Sequence, residues 1–202
     1  MLLQDFLPNL KNHLLSRIRG EQYTGVQHQY PDRDRNPIAF MHNRIYEHQT
    51  LRINYTSYDM RRCQDVVHVG RPDHANVMVL GYEDGGDGHE PHPFWYARVI
   101  GIFHADVKYC GGEPEKMDFL WVHWYGRDVS HQSGWRARRL PRIGLLEEGN
   151  PEAFGFLDPS DVVRASHLIP SFKFGHRGLV TTPSGLSISR LHKDWIYFYV
   201  AL

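Results

Sequence analysis

Asp59, Asp65, Asp106 and Asp118 are the carboxylates that could be recruited for two-metal phosphoryl chemistry, and fourteen histidines offer further ligands. Two-metal catalysis needs acidic side chains projecting from rigid elements onto one metal pair. The spacing of these four brings no such convergence, and Asp59 and Asp118 flank strands, where turn and cap roles suffice. His89 and His92 form an H-x-x-H inside a stretch of Gly, Glu and Pro, whereas a metal site requires several ligands held rigidly with supporting contacts behind them. They read as solvated loop histidines. His123, set among Trp121, Val122 and Trp124, reads as a hydrogen-bonded structural histidine of a strand. The chain has no G-x-S-x-G elbow, no phosphate-binding lysine loop and no dinucleotide-binding glycine pattern. No catalytic residue, metal or cofactor is therefore expected.

The remaining chemistry is that of binding. Trp135 to Arg142 is the most basic local run, and Arg136, Arg138, Arg139 and Arg142, with Arg61 and Arg62, form the expected nucleic-acid-binding set. Each arginine would bring charge and a forked donor to phosphate, and Trp135 would bring a stacking face. The competing reading is a strand edge kept from aggregating by its charge. Trp95, Tyr96, Trp121, Trp124 and Tyr125 are dense enough for a cage around a methylated lysine, but aromatic stripes on strands are mostly packing. An aromatic pocket, if present, is expected at Trp124, Tyr125 and Trp135.

The elements that must position these residues are mainly strands. Phe94 to His104 and Asp118 to Gly126 are rich in β-branched and aromatic side chains, and the connector from Asp106 to Lys116 carries Gly111, Gly112 and Pro114. They predict a central antiparallel pair, apolar on both faces. Before it, apolar positions Leu10, Leu14 and Ile18 predict a helix over about Pro8 to Arg19. Ile38 to His48 reads as a short helix, and Leu51 to Tyr58 alternates as a strand. Asp59 to His74 reads as a charged segment, Val77 to Leu80 as a short apolar run, and Glu83 to Pro93 as a loop. After the pair, strands are expected from about Arg138 to Leu145, weakened by Pro141, and from Val162 to Ile169. Asp194 to Leu202 closes as a strand or helix. Short strands in a meander with a helix in front predict a small, partly open β-barrel with peripheral helices. Residues 1–50 would form an N-terminal helical and loop extension, and residues 51–202 the β-rich domain.

Twenty-three basic residues balance 23 acidic ones, which argues against a wholesale nucleic-acid-binding surface and leaves room for a local patch. Cys63 and Cys110 belong to no C-x-x-C pair, pointing to a reducing, intracellular setting, nuclear or cytoplasmic. No apolar run approaches the roughly 20 residues of a membrane span. The apolar ending Trp-Ile-Tyr-Phe-Tyr-Val-Ala-Leu is read as a cut within something longer.

Several ordered stretches carry a resemblance: Asn43 to Tyr46, Leu51 to Arg62, Phe94 to Ala105, Asp118 to Val122, Phe154 to Pro159 and His167 to Phe172. Across nearly its whole length the chain resembles the C-terminal region of proteins encoded by fungal DNA transposons of the Plavaka and Kyakuja-Dileera-Zisupton type. Cys63 and the segment Val67 to Asp73 depart from the family pattern, as a decayed copy would. The resemblance implies an accessory region, with transposase chemistry upstream and other transposon proteins as potential partners. Residues Phe94 to Phe172 are also similar to bromo-adjacent homology modules, through an Ala-Arg-Val-Ile strand, an apolar strand with Trp-Tyr, and Asp161-Val162-Val163-Arg164 followed by His167-Leu168-Ile169-Pro170. That similarity implies docking to chromatin or a protein partner. The expected function is thus a non-catalytic domain that positions a transposase on chromatin or DNA. The alternatives are a metal-dependent nuclease or transposase fragment and a purely structural or dimerising domain.

Overall fold

A computed structural model describes residues 6–21, 28–81, 92–177 and 194–201. Helix α1 runs over Phe6–Ile18, matching its apolar periodicity, and a single turn, α2, spans Asp32–Arg35. Twelve strands follow in these residues: β1 Ile38–Phe40, β2 Tyr46–His48, β3 Thr50–Thr56, β4 Arg62–His68, β5 Asn76–Leu80, β6 Phe94–Tyr109, β7 Glu115–Arg127, β8 Arg142–Leu145, β9 Phe154–Leu157, β10 Val162–Ala165, β11 His167–Pro170 and β12 Phe198–Ala201. The protein is mainly β and antiparallel throughout these pairings.

Strands β6 and β7 are the spine, and they are longer than their sequence suggested: only Cys110–Pro114 separates them. Along the outer edge of β6 sit β5, opposite residues 94–98, then β2, opposite 102–104, then β1, opposite 107–109. Along the outer edge of β7 sit β9, opposite 120–123, and β8, opposite 125–127. The hydrogen-bonded path runs β10-β5-β6-β7-β8-β12-β11. Its two terminal strands are consecutive in the chain, separated by Ser166 alone, so the sheet must curl until one bent segment borders both ends. Among the described residues the ladder does not close into a complete barrel.

The core divides into three clusters that share this spine. Leu10, Leu14 and Leu15 of α1, all fully buried, pack with Phe103, Phe119, Trp121 and Phe156. Val67, Val77, Val99, Leu120 and Val122 gather the β3–β4 hairpin, β5 and the spine. Tyr96, Tyr125, Ile143, Leu168 and Phe198 join the spine to β8, β11 and β12. A bulge interrupts the β6–β7 register between Val99 and Gly101, and a Cβ at Gly101 would lie 2.3 Å from Cε2 of the buried Phe103 ring. Phe103 is stacked on Phe119 at 5.6 Å and cannot swing aside freely. Gly101→Ala is therefore expected to cost about 1–3 kcal/mol by overpacking, read as a lowered urea midpoint at unchanged slope.

Several sequence expectations are corrected. Ile38 to His48 is two three-residue strands joined by a 3-10 turn at Met41–Asn43, where His42 and Asn43 adopt φ of 56° and 51° and preclude a continuous helix. The charged segment after Asp59 contains β4, paired over seven positions with β3. The stretch Val162 to Ile169 is two strands, because Ser166 donates its N–H to the Asn76 carbonyl and the chain then changes partner from β5 to β12. The strand expected from Arg138 begins at Arg142, β9 was not foreseen, and Asp194 to Leu202 supplies β12. Most of the loop from Glu83 to Pro93 lies outside the described residues. So does His89. Within residues 1–50, α1 packs into the cluster around Phe119, and β1 and β2 pair with the edge of β6.

Candidate nucleic-acid interface

The connection from β7 to β8 presents most of the basic run. Its base is clasped by Asp128 and Arg142, whose Nε donates to Oδ2 at 2.8 Å, with side chains 11% and 13% exposed. Burial pushes the Asp128 carboxyl up, but hydrogen bonds from Ser130 and the Arg142 guanidinium outweigh this and hold it below the usual range. Arg142 also lies 4.6 Å and 4.9 Å from the ring centres of Phe174 and Tyr197. This arginine anchors the base of the connection, apart from its exposed basic neighbours.

Above the clasp, Gly134 and Arg139 form an isolated antiparallel bridge, which holds Trp135 to Arg138 as a tight tip. Gly134 has φ of 97°, where a side chain would be strained. Arg136, Arg138 and Arg139 are exposed, and Trp135 is 98% exposed. No ion pair engages these three arginines among the described residues. The tip thus concentrates charge and a free indole face on a constrained loop, the two components that backbone attraction and base stacking use.

Arg61 and Arg62 stand elsewhere, at the far end of the β3–β4 hairpin. Ser57 and Arg61 close its turn, with Met60 at φ 63°. Arg61 is paired with Asp59 at 2.9 Å, while Arg62 is exposed on β4 opposite Thr56. The hairpin forms its own two-stranded sheet and is fixed to β10. The Arg164 guanidinium lies 3.8 Å from the centre of the Tyr55 ring and donates to its hydroxyl at 2.8 Å and to Asp65 at 3.2 Å. The Asp65 carboxylate also accepts the Ala165 N–H at 3.1 Å.

The expected aromatic pocket is not assembled. Trp124 and Tyr125 are consecutive on β7 and face opposite sides. Trp124 meets Trp95 edge-on at 6.5 Å, and Tyr125 is buried against Phe198 at 5.7 Å. Trp135 belongs to the exposed tip. The four carboxylates are also dispersed: Asp65 is held by Arg164, Asp59 by Arg61, Asp106 faces Lys116 across the spine, and Asp118 lies 3.7 Å from Lys116. Among the described residues no three of His, Cys, Asp and Glu come together as a metal site.

Two histidines are buried and neutral. His123 donates from Nε2 to the Leu146 carbonyl at 2.9 Å and stacks on Phe154. Burial lowers its pKa to about 4. His13, on α1, is lowered to about 3, chiefly by burial and then by Arg17, and its Nε2 has no hydrogen-bond partner. It borders a cleft of about 690 Å³ that also contains Arg17, Asp158 and Asp161. Arg17 pairs with Asp158 at 2.6 Å and donates to the Asp118 carbonyl at 2.5 Å. No helix among the described residues is long and apolar enough to cross a membrane.

Comparison with known proteins adds no further assignment: no family model, curated protein or solved structure matches the chain. Sequence reasoning found the arginines of the exposed tip from their density. It read the alternation of β3, with Arg52, Asn54 and Thr56 on one face, but missed the second hairpin strand, where the inward Asp65 and the exposed Val66 break the polar-apolar alternation.

Proposed function

We propose that this chain is a non-catalytic DNA-binding domain, the accessory region of a transposon-encoded protein of the Plavaka and Kyakuja-Dileera-Zisupton type. We propose further that its curled sheet is a partly open barrel of the bromo-adjacent homology kind. The observation that carries the binding reading is the constrained tip at Gly134–Arg139, where three exposed arginines, without carboxylate partners among the described residues, follow a 98% exposed tryptophan. Arginine at such a tip gains from counterion release on meeting phosphate. The indole gains from stacking on any exposed base.

The Arg136→Ala/Arg138→Ala/Arg139→Ala variant should bind duplex DNA more weakly, and its salt dependence should be shallower by up to about 3 in log–log slope. Gel shifts between about 50 and 200 mM salt read this directly. The side chains are exposed, so the melting temperature should not move by more than about 2 °C. Equal, weak and salt-independent binding by wild type and variant would remove the DNA reading.

A further inference from the structure

The β3–β4 hairpin carries an exposed outward face built from arginine, amide and β-branched residues. Seven cross-strand pairs set its register, Thr50 opposite His68 through to Thr56 opposite Arg62. Leu51, Ile53, Tyr55, Cys63, Asp65 and Val67 turn inward. The outward rows are Arg52 with Val66, Asn54 with Gln64, and Thr56 with Arg62, and all six are exposed. No carboxylate stands in these rows. Neither Arg52 nor Arg62 has an ion-pair partner among the described residues. Asp65 is drawn to the inner face by Arg164, so it does not weaken the positive potential outside.

The two strands also repeat one another. Arg52-Ile53-Asn54-Tyr55-Thr56 and Arg62-Cys63-Gln64-Asp65-Val66 both read arginine, amide, β-branched residue at alternate positions. Antiparallel pairing places Asn54 directly opposite Gln64. A local two-fold axis therefore passes between the amides and relates Arg52 to Arg62 and Thr56 to Val66. Gln64 Nε2 donates to Asn54 Oδ1 at 2.8 Å. That bond leaves the Asn54 amide nitrogen as donor and the Gln64 oxygen as acceptor at the centre of the face.

We propose that this face lies in the major groove of duplex DNA and reads a short quasi-palindromic sequence through Arg52, Asn54, Gln64 and Arg62. The groove admits a two-stranded ribbon, and its edges present the chemistry these side chains complement. Arginine forks onto guanine O6 and N7, the amides onto adenine N7 and N6, and the Thr56 and Val66 methyls onto thymine methyl groups. Spacing agrees as well: successive outward rows are about 6.8 Å apart along a strand, close to two base-pair steps. Three rows then cover about five base pairs, and the ribbon's two-fold axis coincides with that of the groove. The Arg164, Tyr55 and Asp65 contacts fix the ribbon's orientation. The inference rests on the DNA-binding reading above but assigns sequence recognition to a different element from the arginine tip.

The test is selection of random duplexes by the intact 202-residue chain, followed by fluorescence anisotropy at fixed salt. Wild type should enrich a quasi-palindrome containing symmetry-related guanines, and methylation of guanine N7 should block its binding. Arg52→Ala and Arg62→Ala should each lose roughly 5- to 150-fold on the selected site, with relaxed preference at one of the two guanines. The Asn54→Ala/Gln64→Ala variant should relax the centre and leave the salt slope unchanged. All four positions are exposed, so unchanged melting curves confirm folding. Salt-dependent binding without enrichment, or variants that weaken every duplex equally, would overturn the ribbon inference and leave the DNA-binding function standing. A preference for single strands would do the same. Absence of binding to any duplex at low salt would overturn both.

Discussion

Between pH 7 and pH 5 the folded state is expected to lose about 4 kcal/mol, shared between His13 and His123. Both imidazoles are buried, 7% and 8% exposed, with pKa lowered to about 3 and about 4. The unfolded chain binds a proton at each near the ordinary value of 6.5. Protonation thus favours the unfolded state: the stabilisation is complete above about pH 6.5 and is lost as pH falls toward the folded values. Each site contributes up to about 1.4 kcal/mol per pH unit within that window, a large share of a typical domain's 5–15 kcal/mol. Urea midpoints at pH 7, 6 and 5 measure it. His13→Leu removes one titrating group and a nitrogen that has no partner, so it should flatten the acid limb by about half. An unchanged midpoint from pH 7 to 5 in the wild type would refute the assignment.

Asp194→Ala is expected to cost about 3–5 kcal/mol at pH 7. Arg98 on β6 donates from one terminal nitrogen to both Asp194 oxygens, at 2.7 and 2.8 Å, and the two side chains are only 12% and 20% exposed. The guanidinium is walled by Tyr125 and Phe198, with ring centres 5.8 and 5.9 Å away. Removing the carboxylate leaves a buried cation without compensation, which is far more costly than removing both charges. The Arg98→Met/Asp194→Leu double substitution should accordingly recover most of the loss. Denaturant titration of the two single variants and the double variant gives the coupling. A single Asp194→Ala loss below about 1 kcal/mol would show that water reaches the pair.

Much of this architecture is legible in the residues, and the failures share a cause. The helix announces itself through Leu10, Leu14 and Ile18, and the spine through its β-branched and aromatic density. What failed depends on partners far away in sequence. Strand β4 reads as a charged segment because Asp65 looks solvated until Arg164, 99 residues on, is placed beside it. The three-residue strands β1 and β2 have no pattern long enough to identify and exist because β6 offers them an edge. Arg142 looked like its basic neighbours, and only Asp128 makes it an anchor. The separation of Trp124 from Tyr125 was available from strand alternation alone. The arginine tip was legible by density, whereas the ribbon's near-repeat acquires meaning only once the register sets Asn54 across from Gln64.

The single residue between β10 and β11 has a kinetic consequence. Because β10 holds the ribbon through contacts spanning 99 to 109 residues, and β11 waits for β12, neither end of the sheet can be completed by local chain alone. Folding must close long loops before most of their reward arrives. The protein should fold slowly, with the β6–β7 hairpin as its early nucleus and the bend at Ser166 among the last places to become native.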